Sequence, residues 1–157
     1  MRVIVGIERG APELLAELDR LLPLRRNELV LAHVVDSGAR GELERARGWL
    51  PRPRPLPPHR VRAIGEAERQ AAAATLHEAA EAARALGADP EVVAAEGEPG
   101  RVLARLGEER RCSLVVVGAR VDRQAESQGP HSVGHTARFV LDHSLSPVLL
   151  VRGHASW

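Results

Sequence analysis

Four short aliphatic runs stand out along the chain: Arg2 to Ile7, Glu28 to Val35, Ser113 to Val117 and Pro147 to Val151. Each is almost continuously apolar rather than alternating, the pattern of strands covered on both faces in a parallel sheet. A weaker fifth run, Glu91 to Ala95, follows the turn-forming Gly87-Ala88-Asp89-Pro90. Helical patterns fall between the runs. Pro12 suits the first turn of a helix reaching Leu22, with Leu14, Leu15, Leu18, Leu21 and Leu22 on one side and Glu13, Glu17 and Arg20 towards solvent. Glu66 to Leu86 is the strongest helix, rich in Ala, Glu, Gln and Arg, with Gly87 placed to end it. Arg101 to Glu109 and Thr136 to Leu141 supply two more. Strands alternating with helices predict right-handed crossovers and an α/β fold, an open doubly wound parallel sheet with helices on both faces. Ligands of such sheets collect beyond the carboxyl ends of the strands. The segments after Ile7, Val35 and Val117 are therefore where a site is expected.

At 157 residues the chain has the size of one domain, 1–157. Its 22 basic and 21 acidic residues leave a net charge of +1, so bulk electrostatics selects no partner. Nucleic acid is not expected: there is no basic excess, and Trp49, Phe139 and Trp157 are the only aromatic rings of the Phe, Tyr and Trp type. Every basic side chain among the 22 is Arg, which removes Schiff-base chemistry and the Walker-type phosphate lysine. Cys112 is alone, so no intrachain disulfide or cysteine zinc cage forms. No run approaches the roughly 20 apolar residues that a bilayer requires, no secretory signal is visible, and the expected compartment is the cytoplasm without membrane attachment.

The exception to compactness is the segment 37–62, which carries Arg40, Arg45, Arg47, Arg52, Arg54, Arg60 and Arg62 beside five prolines from Pro51 to Pro58. Alternating Pro and Arg excludes helix and central strand and predicts an exposed, partly extended insertion. It reads as a solvated loop, or as a basic lid or contact for a protein partner. The stretch from Leu114 to Arg152 is the most informative: a buried strand ending at Gly118, a polar loop through Gly129 and Gly134, then a helix from Thr136. A glycine-bearing loop entering a helix N-terminus offers free N–H groups and the positive end of the helix dipole, a device for holding phosphate. The same spacing also serves as an ordinary strand-to-helix connection capped by Ser132 or Thr136.

These residues resemble the universal stress protein family, whose corresponding segment reads strand, Gly-x2-Gly-x9-Gly-Ser/Thr, helix, and a Cys-Pro-Val-like start to the last strand. Val115-Val116-Val117-Gly118 supplies the opening, Gly134-His135-Thr136 the closing glycine, and Leu141-Asp142-His143 through Pro147-Val148 to Arg152 the terminal pattern. Val3 to Glu8, Leu31 to Asp36 and Gly97-Glu98-Pro99-Gly100 match the first strand, second strand and third helix entry in the right order. The resemblance implies strand order 3-2-1-4-5, a homodimer, and members that either hold ATP without catalysis or lack nucleotide. The sequence adds a physical reason for the dimer, because the strand 147–152 is a long apolar edge that needs cover. Three departures mark the pocket as degenerate: Val121 replaces the second glycine, the loop to Gly134 is three residues longer, and His135 replaces Ser/Thr.

By the same resemblance Ile7 and Glu8 would flank adenine, Val35 and Asp36 would border ribose, and Gly118, Arg120, Gly134, His135 and Thr136 would surround the phosphates. Magnesium would enter only with the nucleotide. Two other readings stay open: a nucleotide-free dimeric interaction module of the same fold, and a slow nucleotide hydrolase using Glu8 or Asp36 to orient water and Arg120 to stabilise charge. Other motifs carry less. His131, His135 and His143 lack the companions of a zinc set. Ser132 misses the Gly-x-Ser-x-Gly spacing of a nucleophile elbow, and Cys112 at a strand edge reads as packing.

Overall fold

A computed structural model describes residues 1–8, 10–36, 58–119 and 133–152 of the chain. Five strands form one all-parallel sheet: β1 (Arg2–Gly6), β2 (Glu28–Asp36), β3 (Glu91–Gly97), β4 (Leu114–Ala119) and β5 (Val148–Arg152). They stand in the order β3-β2-β1-β4-β5, as expected. Four helices connect them: α1 (Ala11–Leu21), α2 (Pro58–Ala85), α3 (Pro99–Glu109) and α4 (His135–His143). The pairing of β1 runs from Arg2 opposite Glu28 to Gly6 opposite Ala32, and on its other side from Val3 opposite Leu114 to Val5 opposite Val116.

Strand residues alternate between two cores, which explains why β1 and β4 read as continuously apolar. Val3, Val5 and Val116 join Leu29 and Leu31 beneath α1 and α2, while Ile4, Val115 and Val117 join Val30 and Ala32 beneath α3 and α4. The helices answer with their own stripes. Ala11, Leu15 and Leu18 of α1 are buried, as are Ala72, Leu76, Ala79, Ala80 and Ala83 of α2, each set at helical spacing. Val102, Leu103 and Leu106 of α3 and Ala137 and Val140 of α4 close the second core. Burial of each Val, Leu or Ile contributes about 1.5–3 kcal/mol, so the two layers carry most of the hydrophobic stabilisation.

Two expectations need correction. The Pro/Arg-rich insertion does not extend to residue 62, because α2 begins at Pro58 and takes Arg60 and Arg62 into its first turns. The physical reason is that proline at the first helical position loses no hydrogen bond and arrives with a helical φ; residues 37–57 lie outside the described residues, and so do the basic lid and the partner contact expected there. In α1, Leu21 does not face the core and is 62% exposed. The buried stripe steps through Ala11, Leu15 and Leu18 to the partly buried Leu22, and Leu21 falls beside it as the helix ends.

Candidate functional site

The order of the sheet sets β1 between β2 and β4, so the ends of these three strands lie side by side at the carboxyl edge. Each brings the residues expected of it. Ile7 follows β1 directly and is 2% exposed; its N–H donates to the Ala32 carbonyl at 2.7 Å. Glu8 comes next and is exposed. Val35, half-buried, and Asp36, exposed, end β2, where they stand opposite Glu96 and Gly97 of β3. Gly118 is exposed in β4 opposite Val151. Among the described residues a Cβ there would meet the Leu14 methyl groups, at 3.9 Å.

α4 connects β4 to the parallel β5, so it must start at this same edge and run back along the sheet. Gly134 is its N-cap, with φ 85° and ψ 159°, a conformation that residues with a Cβ rarely adopt. Gly134 has no side chain with which to cap the helix, and among the described residues beyond its chain neighbours a Cβ built on it would meet no atom within 4 Å. His135 is exposed and Thr136 half-buried in the first turn. α1 starts in the same manner, from Gly10 at φ 80° without a side-chain cap. α3 differs: the Glu98 carboxylate accepts from the N–H groups of Gly100 and Arg101, each at 3.0 Å. Arg120, Val121, His131 and Ser132 lie outside the described residues.

Two features escaped the sequence reading. His33 Nδ1 donates to the Ile7 carbonyl at 2.8 Å, a bond across strands whose register fixes it. The signal available was a histidine inside an otherwise apolar strand. The second is a shallow cavity of about 360 Å³ between α3 and α4, lined by Arg101, Arg105, Phe139, His143 and Leu145 among others. The Phe139 and His143 rings stack there with centroids 4.1 Å apart. It contains none of the expected site residues.

Other candidate chemistry dissolves in the geometry. His135 and His143 sit at opposite ends of α4, separated along the axis by about 12 Å, too far to share one ion. Among the described residues no group of three or more His, Cys, Asp or Glu is placed to hold a metal. Cys112 is buried, and its burial pushes the thiol above its ordinary value, with Arg2 and Arg110 pulling the other way. It is a packed thiol rather than an activated nucleophile. No helix among the described residues is long and apolar enough to cross a membrane.

Similar solved structures share the fold. A universal stress protein in complex with cAMP is 22% identical, with 98% of this chain and 97% of that chain covered at a TM-score of 0.57. The universal stress protein from Archaeoglobus fulgidus in complex with dAMP is 20% identical, with 96% of each chain covered and a TM-score of 0.56. A universal stress protein family member from Arabidopsis thaliana with AMP bound is 16% identical, with 99% of this chain and 93% of that chain covered and a TM-score of 0.63. No curated protein matches the chain. At these identities the neighbours establish the fold, and the family model adds the lineage: the universal stress protein family matches residues 1–152, and the chain belongs to that family.

Proposed function

We propose that this chain is a regulatory protein that binds an adenine nucleotide at the carboxyl ends of β1, β2 and β4 and does not turn it over. The observation that carries this reading is the start of α4: a glycine N-cap at φ 85° and ψ 159°, a conformation suited to glycine, placed at the carboxyl edge beside the ends of β1 and β4. Such a terminus draws an anion through its N–H groups and its dipole. Family membership and the cAMP, AMP and dAMP named for the neighbours support adenosine as the rest of the ligand. In this reading Ile7 and Glu8 flank the base, with the Glu8 carboxylate accepting from the exocyclic amine. Val35 and Asp36 border the ribose. Gly118, Arg120, Gly134, His135 and Thr136 surround the phosphates of ATP, and magnesium accompanies the phosphates alone. Val121 in place of a glycine weakens the cradle, so affinity is expected to be modest.

Calorimetric titration with ATP, AMP and their magnesium complexes tests it. Saturable binding is expected, reduced on the order of 100-fold by Gly134→Glu, which puts a carboxylate where phosphate would sit. Absence of heat at millimolar nucleotide would overturn the proposal in favour of a nucleotide-free interaction module. Phosphate release above background that disappears in Glu8→Ala would replace the binding protein with a slow hydrolase.

The same reading includes a homodimer formed through 147–152. β5 lies at an edge of the sheet, its Val148, Leu149 and Leu150 are only partly buried, and Leu145 just before it is 81% exposed. An apolar edge of this kind is a pairing liability unless another chain covers it. Light scattering on the eluted protein should give the mass of two chains, and a monomer at micromolar concentration would end this part of the proposal.

A further inference from the structure

α1 and α3 are each 11 residues long, and each joins one parallel strand to the next, so both run from the carboxyl edge of the sheet back to its amino edge. They lie on opposite faces: Leu15 and Leu18 of α1 enter the core of Val3 and Val5, while Val102, Leu103 and Leu106 of α3 enter that of Ile4 and Val115. The outward faces of the two helices are charge inverses of one another. α1 presents Glu13, Ala16, Glu17 and Arg20, and α3 presents Arg101, Ala104, Arg105 and Glu108, at the same four positions counted from the start of each helix. Residues three, four and seven apart share one side of a helix. Here that side is open: Glu13, Ala16 and Arg20 are exposed and Glu17 half-buried, and on α3 Arg101, Arg105 and Glu108 are exposed and Ala104 half-buried.

Laid side by side in the same direction, the two faces set Glu13 against Arg101, Glu17 against Arg105 and Arg20 against Glu108, with the two alanines between them leaving room for close approach. The other alignments are worse. Opposed directions put Glu13 against Glu108 and Arg20 against Arg101, and an antiparallel pair of identical helices puts Glu17 against Glu17 or Arg105 against Arg105. Competing pairs inside each helix are exposed and weak: Arg20 lies 3.2 Å from Glu17, Arg101 4.0 Å from Glu98 and Arg105 3.7 Å from Glu109, the last two beyond hydrogen-bond distance. Apolar groups follow the same alignment. The stripe on α3 lines the cavity of about 360 Å³ that Phe139 and Leu145 also line. Leu145 is 81% exposed at the amino end of that groove, and Leu21, next to Arg20 and 62% exposed, arrives at the same end when Arg20 stands against Glu108.

We propose that the outer face of α1 in one copy of this chain docks, parallel, onto α3 and the α3–α4 groove of a second copy. The contact joins opposite faces of the sheet with the strands of both copies pointing the same way, so it is head-to-tail rather than two-fold. Each added copy leaves one face of either kind free, and assembly continues beyond two chains as concentration rises. The contact uses the faces of the sheet and leaves the edge 147–152 untouched, and no nucleotide takes part in it. Exposed charges supply its specificity, so the association is weak and falls with salt.

Sedimentation velocity on the unchanged protein, up to about 1 mM, should show a mean mass that climbs with concentration at low salt. In about 1 M salt, where charges are screened over about 3 Å, it should return to the mass found at high dilution. Two variants then locate the contact. One carries Glu13→Arg, Glu17→Arg and Arg20→Glu, the other Arg101→Glu, Arg105→Glu and Glu108→Arg, and urea midpoints verify that each is folded. Each variant sets like charges together and should weaken self-association by about tenfold or more, whereas an equal mixture of the two should associate as the unchanged protein does. A contact of α1 with α1 would survive the changes in α3, and a contact of α3 with α3 the changes in α1, so association retained by either variant overturns the proposal. A mixture that stays at the dilute mass overturns it as well. The salt series needs no substitution, and a mass that stays flat with concentration, or growth that persists in about 1 M salt, overturns it without the variants.

Discussion

The two ends of the sheet treat their polar groups in opposite ways. At the amino end, side chains reach across the strand starts to one another and to main-chain carbonyls. Arg2 Nε lies 3.2 Å from the Glu28 carboxylate, Arg2 also approaches Glu91 at 3.9 Å, and Arg110 pairs with Glu91. Arg2 donates to the Arg110 carbonyl at 3.3 Å, the Ser146 hydroxyl to the Cys112 carbonyl at 2.8 Å, and the Asn27 amide to the Pro23 carbonyl at 2.9 Å. The carboxyl end bonds side chains to main chain. Among the described residues it is served by the His33 bond to Ile7 and the Glu98 cap on α3, while α1 and α4 begin at glycines without side-chain caps. One end ties side chains together across the strand starts, and at the other two helices start from glycines, which have no side chain to cap them. With a ligand bound as proposed, stability and recognition would be separated along the strands, as open parallel sheets allow.

Perturbing one end should therefore leave the other property alone. The largest effect on stability is expected from Gly107→Val near the amino end of the sheet. A Cβ at Gly107 would lie 2.9 Å from a Val115 methyl and 3.8 Å from an Ile4 methyl, so the larger side chain overpacks the second core. The cost is about 1–3 kcal/mol, read as a lower urea midpoint, with nucleotide affinity of the folded fraction unchanged. Lost affinity in a fully folded Gly107→Val protein would break the separation. A smaller effect is expected from Glu98→Ala, which uncaps α3 and costs about 1 kcal/mol. This variant sharpens the comparison among the three helix starts, because α3 would then resemble α1 and α4. If a bare helix start were sufficient for a phosphate site, Glu98→Ala would tighten binding of inorganic phosphate; the expectation is no change, since Gly100 packs against Phe139, where a Cβ would already lie 2.7 Å away.

How much of this was legible in the sequence follows from the same division. β1 and β4 were readable because consecutive residues such as Val3 and Ile4 enter different cores, which leaves no polar position to interrupt the run. β3 was weaker because Glu91 and Val92 at its start are exposed at a sheet edge. The start of α2 was misplaced because Pro58 ends a run of prolines and also begins a helix, and composition cannot tell the two uses apart. Ile7, Glu8, Gly118 and Gly134 were expected at the carboxyl edge because a parallel sheet puts every strand end on one side, and they stand there, while the ligand roles proposed for them come from the family resemblance. His33 was not, because its bond to Ile7 depends on the register between β1 and β2 and on which ring nitrogen carries the proton.

The smallest expected effect is a slope with pH, and it belongs to the amino end. Cys112 is buried, and its burial raises the thiol above its ordinary value near 9.0, partly opposed by Arg2 and Arg110. Folding therefore favours the neutral thiol. The stabilisation is fully present below the unfolded value and is lost as the pH rises through the folded one, because the unfolded chain then releases a proton that the folded chain retains. Urea midpoints should stay level from pH 7 to 8.5 and fall above about pH 9, and Cys112→Ala should show a shallower fall over the same range. Iodoacetamide at pH 8 should label the folded protein far more slowly than the unfolded chain. Rapid labelling of the folded protein would mean that Cys112 opens to solvent without global unfolding. The amino end would then be no more closed than the carboxyl end, and the contrast between them would fail where it is easiest to measure.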